Sequence, residues 1–545
     1  MKTVRYVAAA AAILAPALVV GAPAMAQSDG ELKRIQSEGY IGQLSRRAIA
    51  KGALEQLKSS TVSNRPITTR DRVLFWHSVA LDCVGIDHTP DELEGEAPLD
   101  NGGPTRTSRA LAMAQIAVFD TLNSFSGRYN AYEFDERSRR GRVSDDAAVA
   151  AAAYTVLSAL YPSQEERIAD VFDADVARIR GSRRAIERGL ELGEDVGQAI
   201  LDSRDGDGSE LGDPSFGEGG MVADGSTTFF GTPVNGGTTL TGEWTPDPNT
   251  PEFAGEFNLS LGAYWGAVTP FSMDSGDQFR IPPFPTLDST AYEDAYNEVI
   301  SLGGSPENAM SPSTGTDETR FIGNFWGYDG VPIIGVPPRL YNQLALASLE
   351  PNDLRTPLDL SRVLAMVNVA LADVAIGAWD SKYFYNYWRP VTGIRADDTN
   401  ANTPQDMDWD PVGTSVINTE NAIRPTPPFP AYPSGHAAFG SATAEVMINE
   451  LGENPFTFIS DEYNGEGTDP FDENNIPDAS GTPRPLVPVR YDSIRDAQVE
   501  NGRSRVFNGV HWNFDDIEGQ AQGINIARNL LDNNDAFQRA RRGRR

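Results

Sequence analysis

The sequence predicts an all-α protein built as two helical bundles with long irregular loops, and three observations carry that expectation. Apolar residues recur at helical spacing in segment after segment, each punctuated by Pro, Gly or Ser. Strand-like alternation of apolar and polar residues is scarce. A single cysteine, Cys83, excludes an internal disulfide, so the fold rests on packing. At 545 residues and 40% hydrophobic, the chain has material for more than one folding unit.

In chain order, residues 1–26 read as an export leader. Lys2 and Arg5 precede an apolar stretch, and Ala24-Met25-Ala26 offers a small-x-small cleavage site. Pro16 and Pro23 make this segment a poor permanent span, and no later apolar run is expected to cross a bilayer. Export to the periplasm or beyond is the expectation, with no stable membrane insertion once the leader is removed.

Residues 27–205 are predicted to form the first bundle. A short polar lead (Gly30 to Leu57) comes before RVLFWHSVALDCV, TSRALAMAQIAVFDTLNSF, DDAAVAAAAYTVLSALYP, SQEERIADVFDADVARI and RAIERGLELGEDVGQAILDSR. Over 206–285 the composition turns to Gly, Pro, Asp and Thr with isolated aromatics, which reads as an ordered, loop-rich excursion. Helical patterns resume at DSTAYEDAYNEVISLGG and at LDLSRVLAMVNVALADVAIGAWDSKYFYNYW, and two more follow His436 and His511. These assign 286–535 to a second bundle and leave 536–545 as a basic, solvated tail.

The formal charge is −32, and removal of the leader takes away Lys2 and Arg5 with no acid, leaving −34. Such a surface argues against nucleic acid or anionic lipid as a partner. If the protein binds an anion, a local cluster of cations must overturn the global field.

Three segments carry candidate chemistry. In KYFYNYWRP, Lys382 and Arg389 are seven apart and so are expected on one helix face, with Pro390 ending the helix. In PSGH, Ser434 and Gly435 open a helix whose unpaired N–H groups attract an anion, and His436 sits beside them as an acid–base group. In SRVFNGVHWNFDD, Arg505 offers a planar fork for an oxyanion. His511 is a nucleophile or metal ligand, and Asp515 is placed to orient its ring. Taken singly, each segment has a plainer reading: snorkelling cations, a helix cap and a structural histidine.

Taken together, K-x6-R-P, then P-S-G-H, then S-R-x5-H-x3-D resembles the pattern of the type 2 phosphatidic acid phosphatase superfamily. Within it, the chain resembles the vanadium-dependent haloperoxidases, also through RVLFWHSVAL, GPTRTSRALAMAQIAVFD and FWGYDGVPIIGVPPRLYNQLA, from about Arg72 to Leu531. The resemblance implies a vanadium haloperoxidase/acid phosphatase-like helical fold with the site in the C-terminal bundle. It implies vanadate held by Lys382, Arg389, Ser434, Gly435 and Arg505, with His511 bonded to vanadium and His436 as the acid–base residue. Asp329 is implied as a partner of Arg505. Hydrogen peroxide, halide and small organic acceptors are the implied partners.

Trp379 and Phe429 match aromatic positions that flank vanadate in chloroperoxidase-like members, whereas bromoperoxidase-like members carry histidine at the Phe429 position; the plainer reading of both is core packing. The halide, the acceptor and the oligomeric state, with a homodimer among the options, stay open. Two rivals use the same residues. One is an acid phosphatase with His511 as nucleophile and His436 as general acid, and the other is a non-catalytic periplasmic oxyanion-binding protein. His77 and His88 read as structural. DGDGSELGD (Asp205 to Asp213) and the acidic SDEYNGEGTDPFDENN are weak candidates for a structural cation, the first lacking the glycine and glutamate of a calcium loop.

Overall fold

The computed structural model describes residues 68–88, 99–216, 219–221, 227–229, 241–249, 259–306, 308–330, 334–349, 353–354, 356–413, 426–465, 468–471, 477–483 and 486–540. The leader and the polar lead at Gly30 to Leu57 lie outside them. The described chain is dominated by helices, as the sequence predicts.

The N-terminal half contains α1 (Thr69–Asp87), α2 (Gly103–Ser126), α3 (Asp145–Leu160), α4 (Glu165–Val176) and α5 (Arg183–Ser203). Helix α1 starts in a capping box, in which the Thr68 side chain accepts from Asp71 N–H and the Asp71 carboxylate answers to Thr68 N–H. Helices α3 and α5 approach backbone to backbone. A Cβ on Gly193 would meet the Ala148 carbonyl oxygen at 2.3 Å, so only a glycine permits this approach.

The C-terminal half contains α6 (Thr290–Leu302), α7 (Asp317–Phe325), α8 (Pro337–Ala347), α9 (Pro357–Tyr385), α10 (Pro390–Arg395), α11 (Gly435–Leu451), α12 (Ile494–Phe507) and α13 (Asn513–Asn533). Three short antiparallel pairs complete the described structure. They join Gly219–Met221 to Thr227–Phe229, Phe456–Phe458 to Val489–Tyr491, and Thr468–Phe471 to Pro477–Pro483.

Helix α9 organises the molecule. It packs on α2 from the first half and on α11 and α13 from the second, so the largest apolar cluster runs through both halves. At 29 residues it is also long and apolar enough to cross a membrane, contrary to the expectation of no such run. Its apolar length is explained by burial: 94% of the relevant window is inside the protein. Its buried polar groups are satisfied within the fold. Asn368 exchanges hydrogen bonds with Asn342, and Asp373 accepts from the N–H groups of Phe271 and Ser272.

One further expectation is corrected, and one weak candidate finds no support. The tail does not fray at 536, because Phe537 is buried and the N–H of Ala540 reaches the Arg128 carbonyl at 3.0 Å. Residues 541–545 lie outside the described residues. DGDGSELGD does not gather around a cation: Asp207 accepts from Arg109 and Arg204, and Asp213 from Arg106 and the N–H of Gly262. Arginines satisfy these carboxylates. Part of the second acidic segment lies outside the described residues, and no cluster of three or more His, Cys, Asp or Glu suited to a metal occurs among the described ones.

Candidate active site

Three stretches far apart in sequence meet in the C-terminal half. Lys382, Arg389 and Arg505 are each completely buried, and His436 and His511 are 6% and 2% exposed. Their charges act on one another. Burial first, then Arg389, Lys382, Arg505 and His436, depress the basicity of His511. Burial, Arg505 and Arg389 do the same to His436.

Lys382 and Arg389 do not share a helix, as their spacing suggested. Asn386 takes a left-handed conformation (φ 49°, ψ 41°) and ends α9 at Tyr385, after which the chain runs extended to Arg389, the N-cap of α10. The two cations converge because the chain turns, with the Phe429 ring 5.0 Å from the Lys382 ammonium and from the Arg389 guanidinium.

The Lys382 ammonium donates to three carbonyl oxygens of one strap: Pro430 at 2.9 Å, Ala431 at 3.0 Å and Pro433 at 2.5 Å. An ammonium has three donors. All three are engaged. Burial and the neighbouring Arg389 hold its pKa well below the ordinary lysine value, even with Asp515 acting the other way.

The arginines differ from it. Arg389 donates from Nε to the Phe429 carbonyl (3.0 Å) and from Nη1 to the Val510 carbonyl (2.8 Å) and His511 Nε2 (2.9 Å). Arg505 donates from Nη2 to Asp329 Oδ1 at 2.7 Å. Arg389 Nη2 and Arg505 Nε and Nη1 are buried with no protein partner. Burial lowers the Arg389 pKa to about 9. Asp329, whose carboxylate is nearly buried and whose Oδ2 has no partner, has its pKa raised by burial against the pull of Arg505.

These contacts assign the histidine protons. A guanidinium only donates, so His511 Nε2 accepts from Arg389, and Nδ1 carries the proton and donates to Asp515 Oδ2 at 2.8 Å. The Asp515 carboxylate also accepts from the Trp512 N–H at 3.0 Å, and burial pushes its pKa up to about 7. His436 Nε2 lies 2.8 Å from the Gly327 carbonyl, which only accepts, so Nε2 carries a proton and Nδ1 is the nitrogen left for exchange.

Ser434 is the N-cap of α11, its hydroxyl accepting from the Ala437 N–H at 3.4 Å, and its own N–H reaches the Asp515 carbonyl at 2.9 Å. That last bond ties the start of α11 to α13, where Gly519 and Gly523 let the helices close up. Gly435 packs on Trp379, a Cβ there lying 3.5 Å from the indole. Trp379 and Phe429 are buried with ring centroids 4.9 Å apart. The loop-rich excursion reaches this corner too, since Trp379 Nε1 donates to the Leu261 carbonyl at 3.0 Å. His77 and His88 lie apart in α1 and at its end, and His88 Nδ1 contacts only its own helix, at the Val84 carbonyl (2.9 Å).

Sequence reasoning missed the groups that hold His436. The Gly327 carbonyl carries no side-chain signal. The Tyr341 hydroxyl (2.9 Å) and Asn501 Nδ2 (2.8 Å) both donate to the His436 carbonyl from α8 and α12, and helical periodicity marks them only as inward-facing.

Fold and site together define a helical-bundle protein with a buried cluster of cations beside two histidines whose hydrogen-bond partners set their tautomers. The chain belongs to the vanadium-dependent haloperoxidase family. It is 30% identical over 506 residues to the vanadium chloroperoxidase of Curvularia inaequalis, covering 81% of this chain and 78% of that one. Residues 362–539 match the family model of the VCPO second helical-bundle domain. Among solved structures, the first bacterial vanadium-dependent iodoperoxidase superposes with a TM-score of 0.64 at 20% identity, over 88% of this chain and 100% of the other. A holo-type bacterial vanadium-dependent chloroperoxidase does so at 0.56 and 15%, over 81% and 95%.

Proposed function

We propose that the protein is a vanadate-dependent haloperoxidase that oxidises halide with hydrogen peroxide to a hypohalous species, which halogenates small organic acceptors. One observation supports it above the others. Three buried guanidinium nitrogens have no protein partner, beside a histidine whose unprotonated Nε2 accepts from Arg389 Nη1, a bond that a ligand on Nε2 would replace. Unsatisfied buried donors of this kind fit a tetrahedral oxyanion.

Arg389, Arg505 and the start of α11 at Ser434 and Gly435 would hold vanadate, with His511 Nε2 as the bond to vanadium. Lys382 adds charge through space while its donors brace the 430–433 strap. When bound, vanadate supplies Lewis-acid activation of peroxide toward halide. Asp515 keeps the His511 proton on Nδ1, and Asp329 fixes the Arg505 fork. His436 accepts and returns a proton at Nδ1, its Nε2 being committed to Gly327. Trp379 and Phe429, with ring centroids 5.6 and 5.0 Å from the Lys382 ammonium, would flank a bound halide. Export is part of the proposal, and N-terminal sequencing of the mature protein tests it.

The deciding assay is peroxide-dependent bromination, chlorination and iodination of a phenol by vanadate-depleted protein, with and without orthovanadate. Orthovanadate activates a haloperoxidase. For a phosphatase using the same residues it inhibits phosphate-ester hydrolysis instead, and a binding protein shows neither activity.

A further inference from the structure

Glu500 has no place in the chemistry above, yet it sits at the root of it. It lies on α12, and a single carboxylate oxygen, Oε1, accepts from both Trp326 Nε1 (3.0 Å) and the Tyr491 hydroxyl (2.6 Å). Both donors are completely buried, and Trp326 is ringed by Phe325, Phe458 and Tyr491 at centroid distances of 5.4 to 6.1 Å. Packing alone would seat this indole, and a carboxylate in aromatic surroundings is costly unless its bonds achieve something.

Trp326 opens the turn that follows α7. The next carbonyl, Gly327, accepts from His436 Nε2, and the carboxylate two residues further, Asp329, accepts from Arg505. Helix α12 therefore grips this turn at both ends, with Glu500 at Trp326 and Arg505 at Asp329. Asn501 of the same helix holds the His436 carbonyl. Besides the Gly327 and Trp326 carbonyls, the groups facing the ring are Arg505, Arg389, His511 and Asp329, whose Oδ1 is 3.9 Å from Nε2.

We infer that Glu500 is a positioning residue for the acid–base step: by holding Trp326 it fixes the Gly327 carbonyl against His436 Nε2 and so keeps proton exchange on Nδ1. This rests on the reading of His436 as the acid–base group. The competing role is a purely structural one, joining α12 to Tyr491 and Trp326.

The test uses full-length protein labelled with 15N-histidine. With four histidines in the chain, long-range 15N–1H spectra resolve each ring's tautomer, and His436→Gln assigns the relevant one. Glu500→Gln keeps an acceptor at Oε1, and the wild-type tautomer and turnover are expected. Glu500→Leu and Trp326→Phe remove the bond from opposite sides. Both are expected to mix the His436 tautomers and to lower kcat about 10- to 100-fold, the usual cost of losing such a supporting partner.

An unchanged His436 tautomer in Glu500→Leu, with only a lowered unfolding midpoint, overturns the inference. If that variant does not fold, Trp326→Phe decides in the same way. A wild-type protein that oxidises no halide defeats the haloperoxidase reading instead, while the tautomer spectra still judge Glu500.

Discussion

Arg505→Met is the most direct probe of the pocket, because Arg505 carries two of the three unpartnered guanidinium nitrogens and also answers the Asp329 carboxylate. Two separate losses follow. Asp329 is left buried without its cation, and breaking a buried pair from one side costs about 3–5 kcal/mol of stability. Two charge-assisted hydrogen bonds to the anion also vanish, at about 1.5–3 kcal/mol each. Together those weaken vanadate binding by roughly 10²- to 10⁴-fold.

The double variant Arg505→Met/Asp329→Asn separates the two effects. With no carboxylate left unpaired it regains most of the stability, but it regains none of the affinity. Urea unfolding midpoints and isothermal titration with orthovanadate measure the pair. If Arg505→Met binds orthovanadate within about threefold of wild type, a loss of under roughly 1 kcal/mol, Arg505 does not touch the anion and the pocket reasoning is wrong.

Other outcomes follow from the same geometry. Burial and the flanking arginines hold His436 and His511 well below the ordinary histidine range, and a bound anion offsets the arginines and raises those pKa values. Proton uptake then accompanies binding, so affinity for sulfate, whose charge is fixed over the range, rises as pH falls through the acid range below the ordinary histidine value; titrations in buffers of different ionisation enthalpy count the protons. Lys382→Met is expected to lose three hydrogen bonds to the 430–433 strap, lowering the unfolding midpoint and changing near-ultraviolet aromatic signals, while weakening vanadate binding less than Arg505→Met does. Gly523→Ala places a methyl 2.0 Å from the Ala438 carbonyl oxygen and so pushes α13 from α11. A loss of about 1–3 kcal/mol in urea unfolding, with weaker oxyanion binding, is expected.

Legibility in the sequence tracked the kind of group involved. Lys382, Arg389, His436, Arg505, His511 and Asp515 were legible through the resemblance of their three motifs, taken together, to the haloperoxidase pattern, since each motif alone also reads as snorkelling cations, a helix cap or a structural histidine. The all-helical fold was legible because burial of one face imposes a period. What escaped was carried by backbone. The Gly327 carbonyl and the carbonyls of Pro430, Ala431 and Pro433 belong to no residue type. The left-handed turn at Asn386, which separates Lys382 and Arg389 into different helices, had one signal, the asparagine that interrupts the aromatic run, and the seven-residue spacing outweighed it. Long-range partners such as Glu500 and Trp326, 174 residues apart, appear only once the chain is folded.

The placement of the cations also explains how so acidic a chain could hold the proposed anion. Its formal charge of −32 is a property of the surface, where water and salt screen interactions beyond about 10 Å. Lys382, Arg389 and Arg505 lie in the interior, where screening is weak and their own field dominates. The global charge therefore opposes the approach of a halide without setting the energy of the bound state. Added salt should then speed halide entry while leaving oxyanion affinity little changed, the reverse of what a surface cation patch would show. Under the haloperoxidase reading, neutral hydrogen peroxide would feel neither field, so only the charged halide would need the buried cations to draw it in.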